Sequence, residues 1–445
     1  MKIFADLHIH SKYSRATSKN LDLANLERYA RIKGVNLMGT GDFQHPDWNK
    51  ELKSQLQEDG SGILKTQKGF NFLLSSEVSL IYSQDGKGRR NHLVLLAPDF
   101  AVVDQIAEYL LSKGRIDYDG RPIFKVPGND FTYDLKHISD DIEIIPAHIW
   151  TPHFSLFGDY NKYTKVEDCF KDQTKHIYAM ETGISSDPPM NWRLSQLDRF
   201  NLVSFSDSHS FWPWRLGREA TIFALNNNNI AFKDIIKAIR TGQGLFGTVE
   251  AEPNFGKYHF TGHKKCEVCL NPKDALRMNY ACPKCGSKMP VGVVDRIEEL
   301  ADRKQGSKSS NAKHFYSLIP LSELIATLNG TSVSSKKAWD IYFKLVNSKR
   351  SEFDILLNTP EEELRQIADP KLVKVILMNR TGQIRVQPGY DGNYGIPLLN
   401  NEEIITYKPT EEELKKAKKY ANAITSTPIN DPDENDKQTG LGQFV

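Results

Sequence analysis

Short apolar runs alternate with amphipathic stretches through the first half of the chain, and this alternation constrains the fold most. Seven runs have the length of strands: KIFADLHIH, VNLMGTGDF, FNFLLSSEVSL, HLVLLAP, IEIIPAHIW, IYAMETG and LVSFSDSH. Helical patterns separate several of them, such as LDLANLERYARIKG, in which Gly34 is typical of a helix C-terminus. The order predicts an α/β fold with a mostly parallel sheet, and periodicity leaves an open sheet and a barrel as alternatives.

Polar residues lie at the ends of these runs. In the first run, Asp6, His8 and His10 alternate with apolar residues, so a strand would place all three on one face. Later runs carry a carboxylate or a histidine at an end: Asp42, Glu77, His92, His148, Glu181, Asp207 and His209. Since the carboxyl ends of parallel strands meet at one mouth, we expect most of these side chains to converge. Histidine with carboxylate suits Zn²⁺ or Mn²⁺, and several carboxylates permit two neighbouring ions.

The motifs DLHIHS, TGD, AHIW and SDSH, together with Glu77 and His92, resemble the polymerase and histidinol phosphatase (PHP) superfamily over roughly residues 1–250. The resemblance implies a distorted (β/α)7 barrel that hydrolyses phosphoesters with two or three divalent ions, Zn²⁺, Mn²⁺ or Mg²⁺. The implied ligands are His8, His10, Glu77 and Asp207 for one ion, Glu77, His92 and His148 for the second, and Asp42 and His209 for a third. His8, Glu77 and Asp207 would be catalytic through the ions, His209 would act as general acid if it does not ligate, and Arg15 would contact the scissile phosphate.

Four of the five cysteines lie within 20 residues, in the spacing C-x2-C-x12-C-x2-C. Two such knuckles predict one structural, tetrahedral zinc ion bound by Cys266, Cys269, Cys282 and Cys285. This use of cysteine indicates metal binding in a reducing compartment rather than disulfides. The start of the sequence lacks the pattern of a signal peptide, and no run approaches 18 apolar residues, so we expect a cytoplasmic protein with no membrane partner.

The charge is unevenly distributed along the chain. The formal net charge is +2, yet residues 257–350 contain 17 Lys and Arg against 8 Asp and Glu. Such a basic segment favours a polyanion as partner, and the alternative is a solvated, lysine-rich scaffold that braces two domains. Aromatic residues and arginines lie beside the predicted ligands, and five are candidates to stack on bases or contact phosphates: Trp150, Phe211, Trp212, Trp214 and Arg218.

A barrel, then a cysteine module, then a helical region with the turn GYDGNYG resembles the endonuclease Q family of DNA repair nucleases. The resemblance implies cleavage on the 5′ side of a deaminated base (hypoxanthine, uracil or xanthine) or an abasic site, with the lesion turned out of the stack. Two alternatives remain. One is a small-molecule phosphatase acting on an ester such as histidinol phosphate, and the other is a non-catalytic, replication-associated binding protein.

The sequence divides into four predicted parts. They are the barrel (1–255), the four-cysteine zinc module (256–292), a mostly helical, DNA-binding C-terminal region (293–408) and a tail (409–445). The tail ends in QTGLGQFV, where Gln438, Leu441 and Phe444 have the spacing of sliding-clamp ligands. A polar tether before this motif would give it reach, so a sliding clamp is a predicted partner.

Overall fold

A computed structural model describes residues 2–225, 229–400 and 402–424. Its strands are β1 (Lys2–Asp6), β2 (Leu37–Gly39), β3 (Leu64–Lys65), β4 (Asn71–Gln84), β5 (Lys87–Ala97), β6 (Ile123–Phe124), β7 (Glu143–Pro146), β8 (Ala179–Glu181), β9 (Asn201–Val203), β10 (Ala220–Ala224), β11 (Leu245–Ala251), β12 (Thr261–His263), β13 (Val268–Leu270), β14 (His314–Leu318), β15 (Arg385–Gln387) and β16 (Ile396–Leu398). Its helices are α1 (Leu23–Lys33), α2 (Pro46–Gln55), α3 (Phe100–Lys113), α4 (Gly128–Ile138), α5 (Val166–Phe170), α6 (Pro188–Asn191), α7 (Phe232–Thr241), α8 (Pro272–Arg277), α9 (Val293–Leu300), α10 (Leu321–Asn329), α11 (Lys336–Leu345), α12 (Glu361–Ile367), α13 (Pro370–Arg380) and α14 (Glu411–Ile424). None of the helices in these ranges has the length and apolar content needed to cross a lipid bilayer.

The main sheet is mixed, with strand order β14-β11-β10-β1-β2-β4-β5-β7, and β3 and β6 beside β4. The pairs β1–β2 and β2–β4 are parallel, as the alternating pattern predicts. The prediction of a mostly parallel sheet is wrong, because the pairs β1–β10, β10–β11, β4–β5 and β5–β7 are antiparallel, and β4 and β5 form one long hairpin. Its turn lies at Asp85 and Gly86, whose φ angles of 53° and 71° suit a tight hairpin turn.

Beyond β7 the strands curl toward the start of the chain. β8 and β9 form a separate parallel pair, and the amide of Ile149 donates to the carbonyl of Glu181 at the end of β8. A bridge between Ile9 and Ser208 then joins the segment after β9 to the segment after β1. This curl confirms the expectation of a distorted α/β barrel and brings the ends of distant strands together.

Apolar side chains fill the inside of the curl. Ile3, Leu37, Val94 and Ile145 are fully buried there in one cluster, against which α7 also packs. Strand residues of the opposite orientation face the surrounding helices, as the alternation of side chains along a strand requires. The polar residues at the strand ends therefore lie next to a layer of buried apolar side chains.

The C-terminal region is continuous with the barrel sheet. β14 pairs in parallel with β11, in the register of Val249 opposite Tyr316, and becomes the edge of the main sheet. The helices α10 to α13 follow, and a two-stranded sheet, β15–β16, comes after them. The region is mostly helical, as expected, but its first strand belongs to the barrel.

A buried ion pair connects this region to α1. The Nζ of Lys33 donates to Glu352 at 2.7 Å and to the carbonyl of Pro213 at 2.8 Å. Glu352 also accepts from the hydroxyl of Tyr342 (2.7 Å) and the amide of Leu321 (3.0 Å). Both charged side chains are almost fully buried, so their attraction is little screened by solvent.

Candidate metal centre and predicted zinc module

The first group of candidate ligands lies after β1 and on β4. The Nε2 atoms of His8 and His10 lie 3.5 and 3.2 Å from Oε2 of Glu77, and 3.6 and 3.1 Å from Oδ1 of Asp207. Ligand atoms from these four residues all lie within 4.8 Å of one another. The Nε2 of His8 is buried and has no hydrogen-bond partner among the described residues, which is unfavourable unless a bound group satisfies it.

The second group shares Glu77 with the first. Its other oxygen, Oε1, lies 2.6 Å from Nδ1 of His92 and 3.2 Å from Nε2 of His148. The donors of Glu77, His92 and His148 also lie within 4.8 Å of one another. Glu77 thus presents one oxygen to each group, which is the arrangement of a carboxylate between two ions.

The backbone is strained where three of these strand ends turn. Asp42, His148 and Asp207 have φ angles of 46°, 28° and 46°, in a region that residues other than glycine rarely adopt. Opposite His148, a Cβ added to Gly183 would come within 2.6 Å of the histidine Cβ, so only glycine fits. Strain of this kind collects at functional sites, where the surrounding structure compensates for it.

Two carboxylates contact the candidate histidine rings on the side away from the candidate ion groups. Glu181 lies 2.9 Å from Nδ1 of His8 through one oxygen and accepts the amide of His148 at 2.6 Å through the other. Oδ1 of Asp42 lies 3.1 Å from Nδ1 of His10. In both histidines the bonded Nδ1 leaves Nε2 directed at the candidate site, which is how orienting carboxylates act on metal-binding histidines.

Asp42 differs from the predicted third-ion ligand. Its Oδ2 accepts the amide and the hydroxyl of Ser11, both at 2.6 Å, and the hydroxyl of Ser14 at 2.9 Å. With Oδ1 against His10, both oxygens already have partners. Among the described residues Asp42 belongs to neither candidate ion group.

His209 and Arg15 lie outside both groups. The Nδ1 of His209 is 3.0 Å from the carbonyl of Asp207, and its ring centroid is 4.4 Å from that of His10. The Arg15 side chain is 59% exposed and lies 3.6 Å from Asp119. The guanidinium that reaches the centre is that of Arg121, which donates to Oε2 of Glu77 at 3.1 Å. The sequence gives no signal for Arg121, since it follows a turn rather than a long strand.

The charges of the centre favour ionised carboxylates. Burial opposes ionisation of Glu77, but the charges of Arg121 and His8 and a hydrogen bond with His10 hold its pKa well below the usual range. Burial lowers the pKa of His92 to about 3, so this ring is neutral at physiological pH. Burial works against protonation of His8, His10 and His148 as well, but the neighbouring carboxylates raise the pKa of these three rings, so binding of a divalent ion there would displace protons. The imidazole and carboxylate donors of the two groups are of the kinds that bind divalent ions.

The aromatic residues predicted to stack on bases are largely buried. Trp150 is 1% exposed and donates from Nε1 to Asn191 at 2.8 Å, so its ring has no free face for a base. Phe211 and Trp214 are 7% and 8% exposed, and Trp212 lies parallel to Trp214 at 5.2 Å. Burial of Trp150, Phe211 and Trp214 argues against stacking of these three rings on a base. Trp212 packs against Trp339 of the C-terminal region but is partly exposed, so stacking by this ring stays a prediction.

Arg218 is also buried. It donates to the carbonyl of Ser206 through Nε and Nη2, and to the hydroxyl of Tyr394 at 3.2 Å through Nη1. Asp6, which the strand pattern grouped with the ligands, accepts the amides of Ser206 and Gly217 and lies in neither ion group. Arg218 and Asp6 thus hold the backbone of the loop around Asp207, and their polar atoms are used in these hydrogen bonds.

The predicted zinc module differs from the expected four-cysteine set at one position. Cys266, Cys282 and Cys285 come together with His263, and their donors lie within 4.8 Å of one another. Cys269 is opposite Gly262 in the β12–β13 hairpin, and Tyr390 packs against that glycine. Burial raises the pKa of Cys269 to about 12. Strand alternation turns this thiol away from the cluster, and His263, three residues before the first knuckle, takes its place.

Comparison with known proteins extends these observations beyond the site. Residues 320–383 match the family described as MJ0043 C-terminal domain. The uncharacterized protein MJ0043 of Methanocaldococcus jannaschii is 30% identical over 306 residues, which cover 66% of this chain and 36% of that protein. The chain therefore spans little more than a third of this relative's length.

Two solved structures match almost the whole chain. The lesion-specific endonuclease PfuEndoQ from Pyrococcus furiosus is 31% identical, with a TM-score of 0.80 over 94% of this chain and 99% of that one. A complex of Endonuclease Q with a 27-mer duplex, carrying an abasic lesion at the active site, gives the same identity and TM-score over 93% and 98%. The likeness thus includes the barrel, the predicted zinc module and the C-terminal region.

Proposed function

This chain belongs to the endonuclease Q family, and on that premise we propose that it is a metal-dependent DNA endonuclease that cuts damaged strands. The observation that carries the proposal is the shared carboxylate of Glu77, between two groups of candidate ligands at the mouth of the barrel. Paired sites of this kind suit hydrolysis of a phosphodiester. The reaction is proposed to be hydrolysis on the 5′ side of the lesion.

We propose that His8, His10, Glu77 and Asp207 hold one divalent ion and that Glu77, His92 and His148 hold a second. When bound, such ions lower the pKa of water and stabilise negative charge on a phosphoryl group. The chain's own residues do the positioning. Glu181 and Asp42 orient the histidine rings, and the guanidinium of Arg121 is directed at the centre, where it can bind a phosphate oxygen.

The proposed lesions are a deaminated base (hypoxanthine, uracil or xanthine) or an abasic site. Support comes from the duplex with an abasic lesion that the solved relative binds at its active site. The basic segment 257–350, with 17 Lys and Arg against 8 Asp and Glu, supports contacts to the DNA backbone.

Strand nicking tests the proposal directly. Labelled duplexes with one uracil, hypoxanthine or abasic site, and an undamaged duplex, are incubated with Mn²⁺, Mg²⁺ or Zn²⁺. We expect a cut 5′ of the lesion that His8→Ala abolishes and that His137→Ala, a change of an exposed histidine, retains. Release of phosphate from p-nitrophenyl phosphate or histidinol phosphate without nicking would favour a phosphatase. Lesion binding with neither reaction would favour the non-catalytic alternative.

The clamp motif formed by Gln438, Leu441 and Phe444 lies outside the described residues. We propose that it binds a sliding clamp through its apolar side chains. Deletion of residues 437–445 should abolish clamp pull-down and leave nicking of a short duplex unchanged. Pull-down that survives the deletion would refute the interaction.

A further inference from the structure

A glycine-rich loop of the C-terminal region, residues 389–395, returns to the segment between barrel and zinc module. The amide of Gly389 donates to the carbonyl of Asn254 at 2.8 Å, and the amide of Gly395 donates to that of Phe255 at 3.0 Å. A Cβ on Gly395 would lie 2.2 Å from the carbonyl oxygen of Asn254. Only glycine allows so close an approach of two backbones, which fixes the loop and the tyrosine before Gly395.

That tyrosine, Tyr394, meets three cations from two other parts of the chain. Arg218 donates to its hydroxyl at 3.2 Å. The guanidinium carbon of Arg215 and the Nζ of Lys257 lie 4.6 and 4.8 Å from the centre of its ring. Burial would raise the pKa of Tyr394, but the charges of Arg218, Arg215 and Lys257 lower it to about 8.

The cluster has more positive than negative charge. In the described part of the chain, the carboxylate within 4.0 Å of these cations is that of Glu323, at 3.7 Å from Arg215. Arg215 keeps 27% of its side chain exposed, and Lys257 and Tyr394 are half-buried. An anion from solution can therefore reach the cluster, and its negative charge would be stabilised there.

The cluster is also joined, through Arg218, to the loop that carries the proposed ligand Asp207. Arg218 donates to the carbonyl of Ser206 at 3.1 Å, one residue before the candidate ligand Asp207. Arg215 follows His209 on the same loop. Phosphates recur along a DNA strand on either side of the one that is cut, and they are anions that such cations bind.

We propose that Arg215, Lys257 and Tyr394 bind a backbone phosphate of the damaged strand next to the one that is cut. Arg218 is a positioning residue, since it holds the tyrosine hydroxyl and is 8% exposed. The site combines the barrel loop, the linker to the zinc module and the C-terminal loop, so it forms only when all three parts are in place. This inference rests on the proposed endonuclease function.

The salt dependence of binding tests it. Anisotropy titrations with a labelled abasic duplex are made at several KCl concentrations in the His8→Ala background, which prevents cutting. Lys257→Gln and Arg215→Gln should each weaken binding several-fold and reduce the slope of log Kd against log[KCl] by about 0.9, as for one lost phosphate contact. Lys257→Arg should restore the slope, and Lys237→Gln, at an exposed lysine of α7, should leave it unchanged.

A merely structural role would lower the melting temperature and raise Kd without changing the slope. The inference is overturned if Lys257→Gln and Arg215→Gln show the same slope of log Kd against log[KCl] as the parent. If Arg215→Gln does not fold, the slope of Lys257→Gln decides alone. Nicking by the unsubstituted chain is measured in parallel. A chain that nicks lesion duplexes while these variants keep the parent slope refutes only the phosphate site. A chain that neither nicks nor binds the duplex refutes the proposed function and the site together.

Discussion

Oδ1 of Asp42 lies 3.1 Å from Nδ1 of His10, and this contact directs the other nitrogen of the ring at Glu77 and Asp207. Asp42 is in turn held by three hydrogen bonds from Ser11 and Ser14. Asp42 therefore orients the proposed ligand His10, whereas the superfamily resemblance implied that Asp42 is itself a ligand.

Asp42→Asn should weaken divalent-ion binding in the barrel by about 10- to 100-fold, the usual effect of removing an orienting carboxylate. Asparagine tolerates the left-handed backbone at this position, so the substitution changes the charge and keeps the turn. Calorimetric titration of the metal-stripped chain with Mn²⁺ measures the effect, with Asp47→Asn on the exposed first turn of α2 as control. Unchanged affinity would show that the ring needs no such support.

Glu181→Gln should reduce nicking more than it reduces folding stability. The carboxylate bonds His8 and the backbone amide of His148, which belong to different candidate ion groups, so its loss disturbs both. We expect a fall of about 10- to 100-fold in the nicking rate, partly recovered at high Mn²⁺ concentration. Glu167→Gln, at a half-exposed side chain of α5, is the matched control. A fall in the nicking rate that high Mn²⁺ concentration does not reverse would argue against the proposal that Glu181 acts by orienting His8 and His148.

His263→Ala and Cys269→Ser distinguish the two possible ligand sets of the zinc module. Because the structure groups His263 with Cys266, Cys282 and Cys285, the histidine variant should lose zinc and the Cys269 variant should retain it. Zinc released by a mercurial reagent that modifies thiolates reports the metal held by cysteines. Loss of zinc in Cys269→Ser together with its retention in His263→Ala would restore the four-cysteine set.

Glu352→Ala should destabilise the chain strongly, by about 3–5 kcal/mol, because it leaves the ammonium of Lys33 buried without its partner. The hydroxyl of Tyr342 and the amide of Leu321 lose an acceptor as well. Thermal unfolding measures the change. Lys336→Met removes an exposed ion pair with Asp340 and should have little effect on the melting temperature, since solvent screens that interaction. Equal melting temperatures for the two variants would contradict this assignment.

Strand periodicity predicted several of the residues that come together at the candidate metal centre. His8, His10 and Glu77 follow from alternation and from the meeting of strand ends, and the structure brings them together. The role of Glu181 was not predicted, because a strand-end carboxylate that binds an ion and one that supports a histidine look alike in sequence. Trp150 was predicted to stack on a base, but its ring is buried. The sequence does not show which elements pack over a ring.

Local spacing also predicted a different set of residues from the one that comes together in the predicted zinc module. A C-x2-C knuckle predicts two ligands, but the pairing of β12 with β13 turns Cys269 to the other face, and only the register of that hairpin decides this. Arg121 reaches Glu77 from a turn outside the periodic elements, so no pattern in the sequence marks it.

The parallel pairing of β14 with β11 limits how this chain can be divided. A fragment ending at residue 255 would keep every candidate ligand of the barrel, yet it would expose the whole free edge of β11, a surface on which strands of other molecules can add. An excised barrel is thus expected to aggregate when expressed alone. Truncation experiments on this chain should cut after residue 318, where the sheet has gained its last strand.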